Sequence, residues 1–464
     1  MASTPSKSSA APSEASSVKS MDSSTPPSAL PADKPESDSS KLKTFLGILR
    51  KFVGVSDIAN VRFSLPAQLL EPIPNLGLFS LLRCDRPETF VSIGESDDEI
   101  ERMLEVLRFW FTKDLKYVKG KPCKPYNSAL GEFFRCNWDI KDDEHPISEI
   151  TTQKSSETLK KADGETVRVS YLTEQTSHHP PVSAFYVDCP KKGVTARGFD
   201  QISAKFTGTS VRVTPGQHNL GIFINLEKRG DEEYQLTHPA ANLGGILRGA
   251  LAVSVSDHCF ITCPKTKLKT ILYYLEEGWL GKSQNRVQGA IFRYDPSNDK
   301  YSKLKDVPEK DIVCKLDGCW QDKVYYTRVN TNSSSTPAGS RVPSPLPPER
   351  IQLIDLSPLW PVPKDIPPPS QQLPNESRQF WSGVTDAIKS KQYSLATRLK
   401  QDLEERQREK AAKRKEEGVE WKPRFFTENL SPVGKPDLSE EGRLVLKGLH
   451  EGNYDLKPSN VLAA

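Results

Sequence analysis

Between residues 165 and 330 the chain breaks into short runs of β-forming residues separated by turn residues, and this feature constrains its fold more than any other. The runs are "ETVRVSYLTEQ", "TSVRVTP", "GIFINLEK", "LKTILYYLEE" and "AIFRYDPSNDKYSKL". Val, Ile, Tyr and Phe suit a pleated, half-buried backbone, whereas Gly, Pro, Asn and Asp punctuate it. No regular alternation with long helices accompanies the runs. A doubly wound parallel sheet is therefore disfavoured, and a mainly β fold, an antiparallel sheet or barrel with helical additions, is expected. A barrel also offers an interior for an apolar ligand.

The flanks differ in kind. Residues 1–40 are rich in Ser, Pro, Ala and Thr and are expected to form a disordered tail, because they cannot bury enough surface to offset chain entropy. In 41–57, Leu42, Phe45, Leu46, Leu49, Phe52 and Val53 follow helical spacing, while Lys41, Lys43, Arg50 and Lys51 fall largely elsewhere. Two readings stand: a helix docked on the core, or a basic amphipathic segment that touches a membrane or closes over a pocket. A second helix is expected from Ser96, with Glu99 at capping-box spacing and an apolar face of Ile100, Met103, Leu104, Leu107, Phe111 and Leu115. Residues 330–350 read as a flexible excursion, and 376–417 as a long helix of strong helix formers. Residues 427–464 are taken as a C-terminal tail.

The formal charge of +4 on 464 residues is low for a general nucleic-acid binder, so any cationic surface should be local. The N-terminus has no apolar stretch of signal-peptide type and no run approaches membrane-spanning length, so an intracellular, non-spanning chain with reduced cysteines is expected. Of the eight cysteines, Cys259 with Cys263 and Cys314 with Cys319 are only loosely of zinc-binding spacing. "GWLGKSQN" at 278–285 ends like a phosphate loop, but Glu276 stands where its leading glycine belongs, so it is a decoy. With no nucleophile elbow, zinc-protease helix or dinucleotide fingerprint, an enzyme reading rests on one stretch alone.

That stretch is "EQTSHHPPVSAF", residues 174–185, which places His178 beside His179 and follows them with two prolines. Adjacent strand residues point to opposite faces, so only a bend lets both rings converge, and Pro180 restricts His179 as well as itself. A metal site, a catalytic pair, an anion cradle and two merely satisfied structural rings are the readings. The other histidines form no recognisable cluster, which favours the anion over the metal. Two cationic stretches point the same way. "GKPCKPYNSALGEFF" at 120–134 holds Lys121 and Lys124 in a proline-stiffened loop. Lys400, Glu404 and Arg408 recur every four residues, stacked roughly 6 Å apart on one helix face with about 40° of drift per step. A solvated salt-bridge stripe is the plain alternative for these three.

These residues carry a resemblance. "EQTSHHPPVSAF" resembles the signature of the oxysterol-binding protein family, "KPYNSALGE" its second block with Ser128 in place of proline, and "GFDQISAKF" a further core block. "ESRQFW" and "KQDLEERQR" are similar to its C-terminal helix, and the likeness runs from about residue 58 to 426. It implies one lipid-binding domain: an incomplete antiparallel β-barrel around a lipid tunnel, with an N-terminal lid at 41–57 and a long C-terminal helix. It further implies that phosphatidylinositol 4-phosphate binds with its chains inside and its headgroup at the mouth. There Lys124, His178, His179, Lys400 and Arg408 would meet the phosphates, Asn127 would add a polar contact and Glu404 would hold the neighbouring cations. Enclosure has a physical rationale, since exposing two acyl chains of roughly sixteen carbons costs on the order of 20 kcal/mol or more.

The family exchanges this lipid for a second one in the same tunnel, a sterol or, in one branch, phosphatidylserine. "KDLKYVKG" lacks the glutamine that some sterol-type members have there, "LPAQLLEP" at 65–72 partly resembles the phosphatidylserine branch, and Asp200 replaces a usual asparagine. Sterol is preferred as the commoner assignment. The expected function is thus a non-enzymatic, cofactor-free lipid exchanger, a short-form monomer in the cytoplasm. It would touch anionic membranes of the endoplasmic reticulum, Golgi or plasma membrane transiently. The competing readings are a phosphoinositide-dependent lipid sensor or scaffold and, last, a hydrolase using the His pair. "EFFRCNWD" at 132–139 lacks the acidic position of a receptor-docking motif and is rejected as an address.

Overall fold

The computed structural model describes residues 38–59, 65–77, 84–113, 115, 124–141, 166–245, 251–275, 284–329 and 349–458. Lys121, the stretch 276–283 within the phosphate-loop decoy, and nearly all of the 1–40 tail and the 330–350 excursion lie outside them, as does the side chain of Leu42.

Among the described residues fifteen strands form the sheet. They are β1 (Phe133–Lys141), β2 (Thr166–His178), β3 (Pro181–Cys189), β4 (Val194–Asp200), β5 (Ile202–Phe206), β6 (Val211–Pro215), β7 (Ile222–Leu226) and β8 (Glu232–Leu236). There follow β9 (Ala240–Gly244), β10 (Ala252–Cys263), β11 (Leu268–Tyr274), β12 (Arg286–Arg293), β13 (Ile312–Cys319), β14 (Lys323–Arg328) and β15 (Arg350–Asp355). The main path is an antiparallel meander, β1-β2-β3-β4-β7-β8-β10-β11-β12-β13-β14-β15, while β5, β6 and β9 form a side sheet attached to β10. Among the described residues β1 and β15 do not pair. The outer edge of β1 is instead bridged at Asn137 by Asp365 and at Phe133 by Glu376, so the barrel is incomplete. Bridging also covers an edge that would otherwise template association.

One apolar cluster draws side chains from strands along the whole meander, including Tyr171, Val187, Ile261, Leu316 and Leu353, which requires the sheet to curl around it. Helices α2 (Pro87–Val91) and α3 (Glu99–Thr112) fill one part of that interior. The sequence predicts a one-faced α3, but every residue from Arg102 to Thr112 is buried. A helix enclosed by a barrel has no solvent side, so its polar groups need partners. Arg102 donates to both oxygens of Glu232 on β8 at 2.9 and 2.8 Å, and Trp110 Nε1 donates to Tyr274 on β11 at 2.9 Å. The helix also starts later than the capping-box spacing implies. Asp98 is its cap and accepts from the amides of Ile100 and Glu101, while Ser96 donates to Glu101.

Because successive strands of the meander reverse, their turns alternate between two ends. The β2–β3 turn, the start of β1 and the side sheet share one end, called the rim here. Helix α1 (Asp38–Arg50), the expected lid, packs at this end. Leu49 is buried against Ala204, Phe206 and Val211 of the side sheet, with Phe45, Leu46 and Phe52 half-buried around it. Val53 is 63% exposed, because the helix ends at Arg50 and the chain turns. Past that turn Asp57 Oδ1 accepts from the amides of Ala59 and Ala204, both at 2.9 Å, clipping the segment to β5.

Two expectations for the C-terminal part are corrected. The single helix at 376–417 is three, α4 (Ser377–Phe380), α5 (Ser382–Lys389) and α6 (Tyr393–Glu416), with Lys391 in a left-handed conformation between the last two. The segment from 427 is also no appendage as far as residue 458. Its helix α7 (Glu440–Glu451) buries Val445, Leu446 and Leu449 against Phe133, Leu172 and Val182 on the outer face of β1–β3. Arg168 donates to the carbonyls of Leu449 and His450 at the helix end, and His450 Nε2 lies 2.9 Å from Asp188.

Candidate functional site

The His-His-Pro-Pro stretch is the β2–β3 turn itself. His178 pairs with Pro181, leaving His179 and Pro180 as the turn residues, and the His179–Pro180 peptide is cis. Both histidines are exposed, their rings edge to face with centroids 4.7 Å apart. A β-bulge prepares this. Gln175 pairs with Ser183 and Ser177 with Val182, which leaves Thr176 as an extra residue. Val182 belongs to the outer layer, so Ser177 takes the outer side and His178 the inner one. Without the bulge, strict alternation would place His178 on the same side as Glu174. Bulges re-aim side chains in this way, and nothing in the local sequence announces one.

The loop that holds Lys124 is fastened to this hairpin and to the helices. Gly131 donates to the Gln175 carbonyl at 3.0 Å and Gln175 to the Glu132 carbonyl at 2.8 Å, three residues before His178. Behind the loop Glu132 is fully buried. Its carboxylate accepts from the Ala129 amide at 2.9 Å, Ser377 Oγ at 2.6 Å and Trp381 Nε1 at 3.0 Å. Desolvation still pushes its pKa up to about 7, against those three bonds. Tyr126 stacks on Trp381 at 4.8 Å, and the amide of Glu71 bonds the Lys124 carbonyl at 3.0 Å. Glu132, Tyr126 and Trp381 thus build the site without facing it. Sequence reasoning missed all three, although "GE" and "FW" stood in the motifs.

Lys124 Nζ donates to Asn127 Oδ1 at 2.7 Å. Its surface is open to solvent, yet protein surrounds the ammonium end. Desolvation, and after it the charge of Lys400, lowers its pKa to about 8. Lys400 is the buried end of the helical stripe, at 5% exposure, and donates to Glu404 Oε1 at 2.6 Å. Glu404 Oε2 is 3.7 Å from Arg408 Nη2, and Arg408 also pairs with Glu405. Glu404 therefore stands between two cations, while the Arg408 side chain remains 64% exposed. The structure brings Lys124, Asn127 and Lys400 together, and the loop that carries the first two is bonded to β2 three residues before His178. Arg408 is left on an open stretch of α6, eight residues past Lys400.

A lysine pair of this kind, on a loop and a helix that main-chain bonds and the buried Glu132 hold in place, is suited to charge-assisted hydrogen bonds with an anion. Comparison with known proteins agrees with the fold. The family sequence model described as Oxysterol-binding protein matches residues 44–442. Oxysterol-binding protein-like protein 1 of Schizosaccharomyces pombe is 40% identical over 491 aligned positions, covering 89% of this chain and 92% of the relative. Among solved structures, the Osh1 ORD domain in complex with ergosterol superimposes with a TM-score of 0.64 at 20% identity, covering 93% of this chain and 92% of that one. The Osh3 ORD in complex with PI(4)P from Saccharomyces cerevisiae gives 0.58 at 17% identity, covering 88% and 93%. The likeness to these two structures concerns the fold. A match over most of the chain, with a close relative of nearly the same extent, shows that the chain belongs to the oxysterol-binding protein family.

Proposed function

We propose that the chain is a lipid-transfer protein that takes up phosphatidylinositol 4-phosphate with its headgroup in the rim cleft, and exchanges it for a sterol held in the same interior. Lys124 and Lys400 carry this reading. Two cations held close enough for one to depress the other are a standing electrostatic cost, which a phosphate between them turns into attraction. His178, His179 and Asn127 would complete the phosphate contacts, with Arg408 closing on the headgroup from the open side. Relatives named for oxysterol binding, and neighbours solved with ergosterol and with PI(4)P, support both cargoes. Helix α1, docked on the side sheet at the rim and bearing exposed Lys43 and Arg50, is the lid in this reading and meets anionic headgroups as it opens.

The test is to identify lipids that co-purify with the full chain by native mass spectrometry and then to titrate in phosphatidylinositol 4-phosphate. A sterol displaced by the phosphoinositide is the expected result. Phosphatidylserine displaced instead keeps the exchange and replaces the cargo. No bound lipid and no phosphoinositide uptake would refute the proposal, and lipid recovered chemically altered would return the hydrolase reading.

A further inference from the structure

Glu174 opens the "EQTSHHPP" motif but does not share the inner side of the sheet with His178. It lies on the outer side of β2, fully buried, and each of its two oxygens accepts a main-chain amide: Arg424 on Oε1 and Phe425 on Oε2, both at 2.8 Å. The carbonyls of the same dipeptide are taken by one residue. Ser439 Oγ donates to Arg424 at 2.7 Å and the Ser439 amide to Phe425 at 2.9 Å. Arg424 Nε is fixed in turn by Glu441 at 2.9 Å, and the Phe425 ring packs edge-on to Phe133 at 4.9 Å. A carboxylate that spends both oxygens on consecutive amides grips a chain in one register and orientation.

What it grips is the return of the chain from α6. That helix carries Lys400, Glu404 and Arg408, and after Lys400 none of its residues is buried. Its outer half therefore buries no side chain of its own. The inner half is seated by Lys400 and Ala396, and the exit is seated at 424–425, eight residues past the last helical residue, Glu416.

We propose that Glu174 is a positioning residue of the headgroup site. It ties the exit of α6 to the strand that carries His178 and His179, and so sets where Arg408 stands relative to the histidine turn. The inference rests on the phosphoinositide reading for its ligand, though not for the clip itself. It also gives a reason for Glu174 to sit four residues before His178: one strand presents the rings to the ligand on its inner side and anchors the opposing helix on its outer side.

The experiment compares wild type, Glu174→Gln, Arg408→Ala and the double variant in the full chain. An amide of the same size keeps one acceptor and turns a donor toward the second amide. Phosphatidylinositol 4-phosphate affinity, read by extraction from vesicles, should fall by roughly 2- to 30-fold in Glu174→Gln, the range for coupling carried through a packed neighbour. It should fall more than sterol affinity does, and the double variant should lose little beyond Arg408→Ala alone. Fully additive losses, or an unchanged affinity in Glu174→Gln, would overturn the proposal. Hydrogen exchange over 404–425 in the lipid-free protein should accelerate in Glu174→Gln, and protection equal to wild type would also overturn it. Should Glu174→Gln fail to fold, Ser439→Ala loosens the same dipeptide from its carbonyl side and should move exchange and affinity in the same directions. If the wild type took up no phosphoinositide, the functional reading would fall, and exchange alone would decide the clip.

Discussion

The sharpest consequence of the proposed headgroup site is its dependence on alkaline pH. In the ligand-free protein the Lys124 ammonium titrates at about 8, lowered first by desolvation and then by the charge of Lys400. A phosphate in the cleft favours the charged form and raises that value. The sign follows: affinity is fully present below the free-state pKa and is lost as pH rises through it, until the bound-state pKa is reached. Below pH 7 the phosphomonoester itself gains charge, with a second pKa near 6, so the window from pH 7 to 9 isolates the lysine. Across it the protonated fraction of a group titrating at 8 falls about tenfold, and solvent access to the ammonium discounts the effect, giving an expected loss of roughly three- to tenfold. The assay is phosphatidylinositol 4-phosphate extraction from neutral vesicles at pH 7, 8 and 9, with calorimetry in two buffers to count protons taken up. Lys124→Arg, which stays charged throughout, should flatten the profile. Lys400→Met should move the decline to higher pH by removing the opposing charge. A flat wild-type profile, or an equal decline in Lys124→Arg, would refute the reasoning.

Other expectations follow from the same geometry. Replacing both His178 and His179 by Glu should reduce phosphoinositide extraction more than tenfold, since two like charges then face the phosphate, and unchanged extraction would remove the rings from the headgroup site. Leu49→Asp buries a charge between α1 and the side sheet and should accelerate loss of bound lipid to acceptor vesicles, so unchanged release would deny α1 a lid role. Arg102→Ala leaves Glu232 uncompensated inside the barrel and should cost about 3–5 kcal/mol in chemical denaturation. Glu105, Glu132 and Glu174 are each pushed up to about 7 by desolvation, above the 4.5 of an unfolded carboxylate. The folded state then binds more protons between those values, so the melting temperature should rise as pH falls from 7.5 to 5.5, and a fall over that range would show other groups in control.

The strands were legible because their alternation is local: the five runs read as strands contain most of β2, all of β6, β7 and β11, and the end of β12. The His turn was legible too, because proline chemistry acts on neighbours. Relationships across the fold were not. The bulge at Thr176 exists only against the register of β3, and Glu132 and Glu174 look like ordinary polar residues until the chain 250 positions away arrives to be held. The break near Lys391 has no glycine to announce it. In two places, however, the signal was there. Asp98 precedes the first helical residue directly and outcompeted Ser96 as cap. "EEGRLVLKGLH" in the supposed tail spaces Val445, Leu446 and Leu449 on one helical face, and that face is the one buried.

The enclosed helix α3 has a consequence for the proposed exchange, at the moment between one lipid and the next. A barrel filled only by its cargo would face collapse or flooding each time the cargo left. Here part of the interior is furnished permanently: α3 is braced to β8 by Arg102 and Glu232 and to β11 by Trp110 and Tyr274. These struts keep the walls apart whether or not a lipid is present. Under the proposed exchange the empty shell would then be a resting state rather than a denaturation risk, and one cargo could depart before the next arrives.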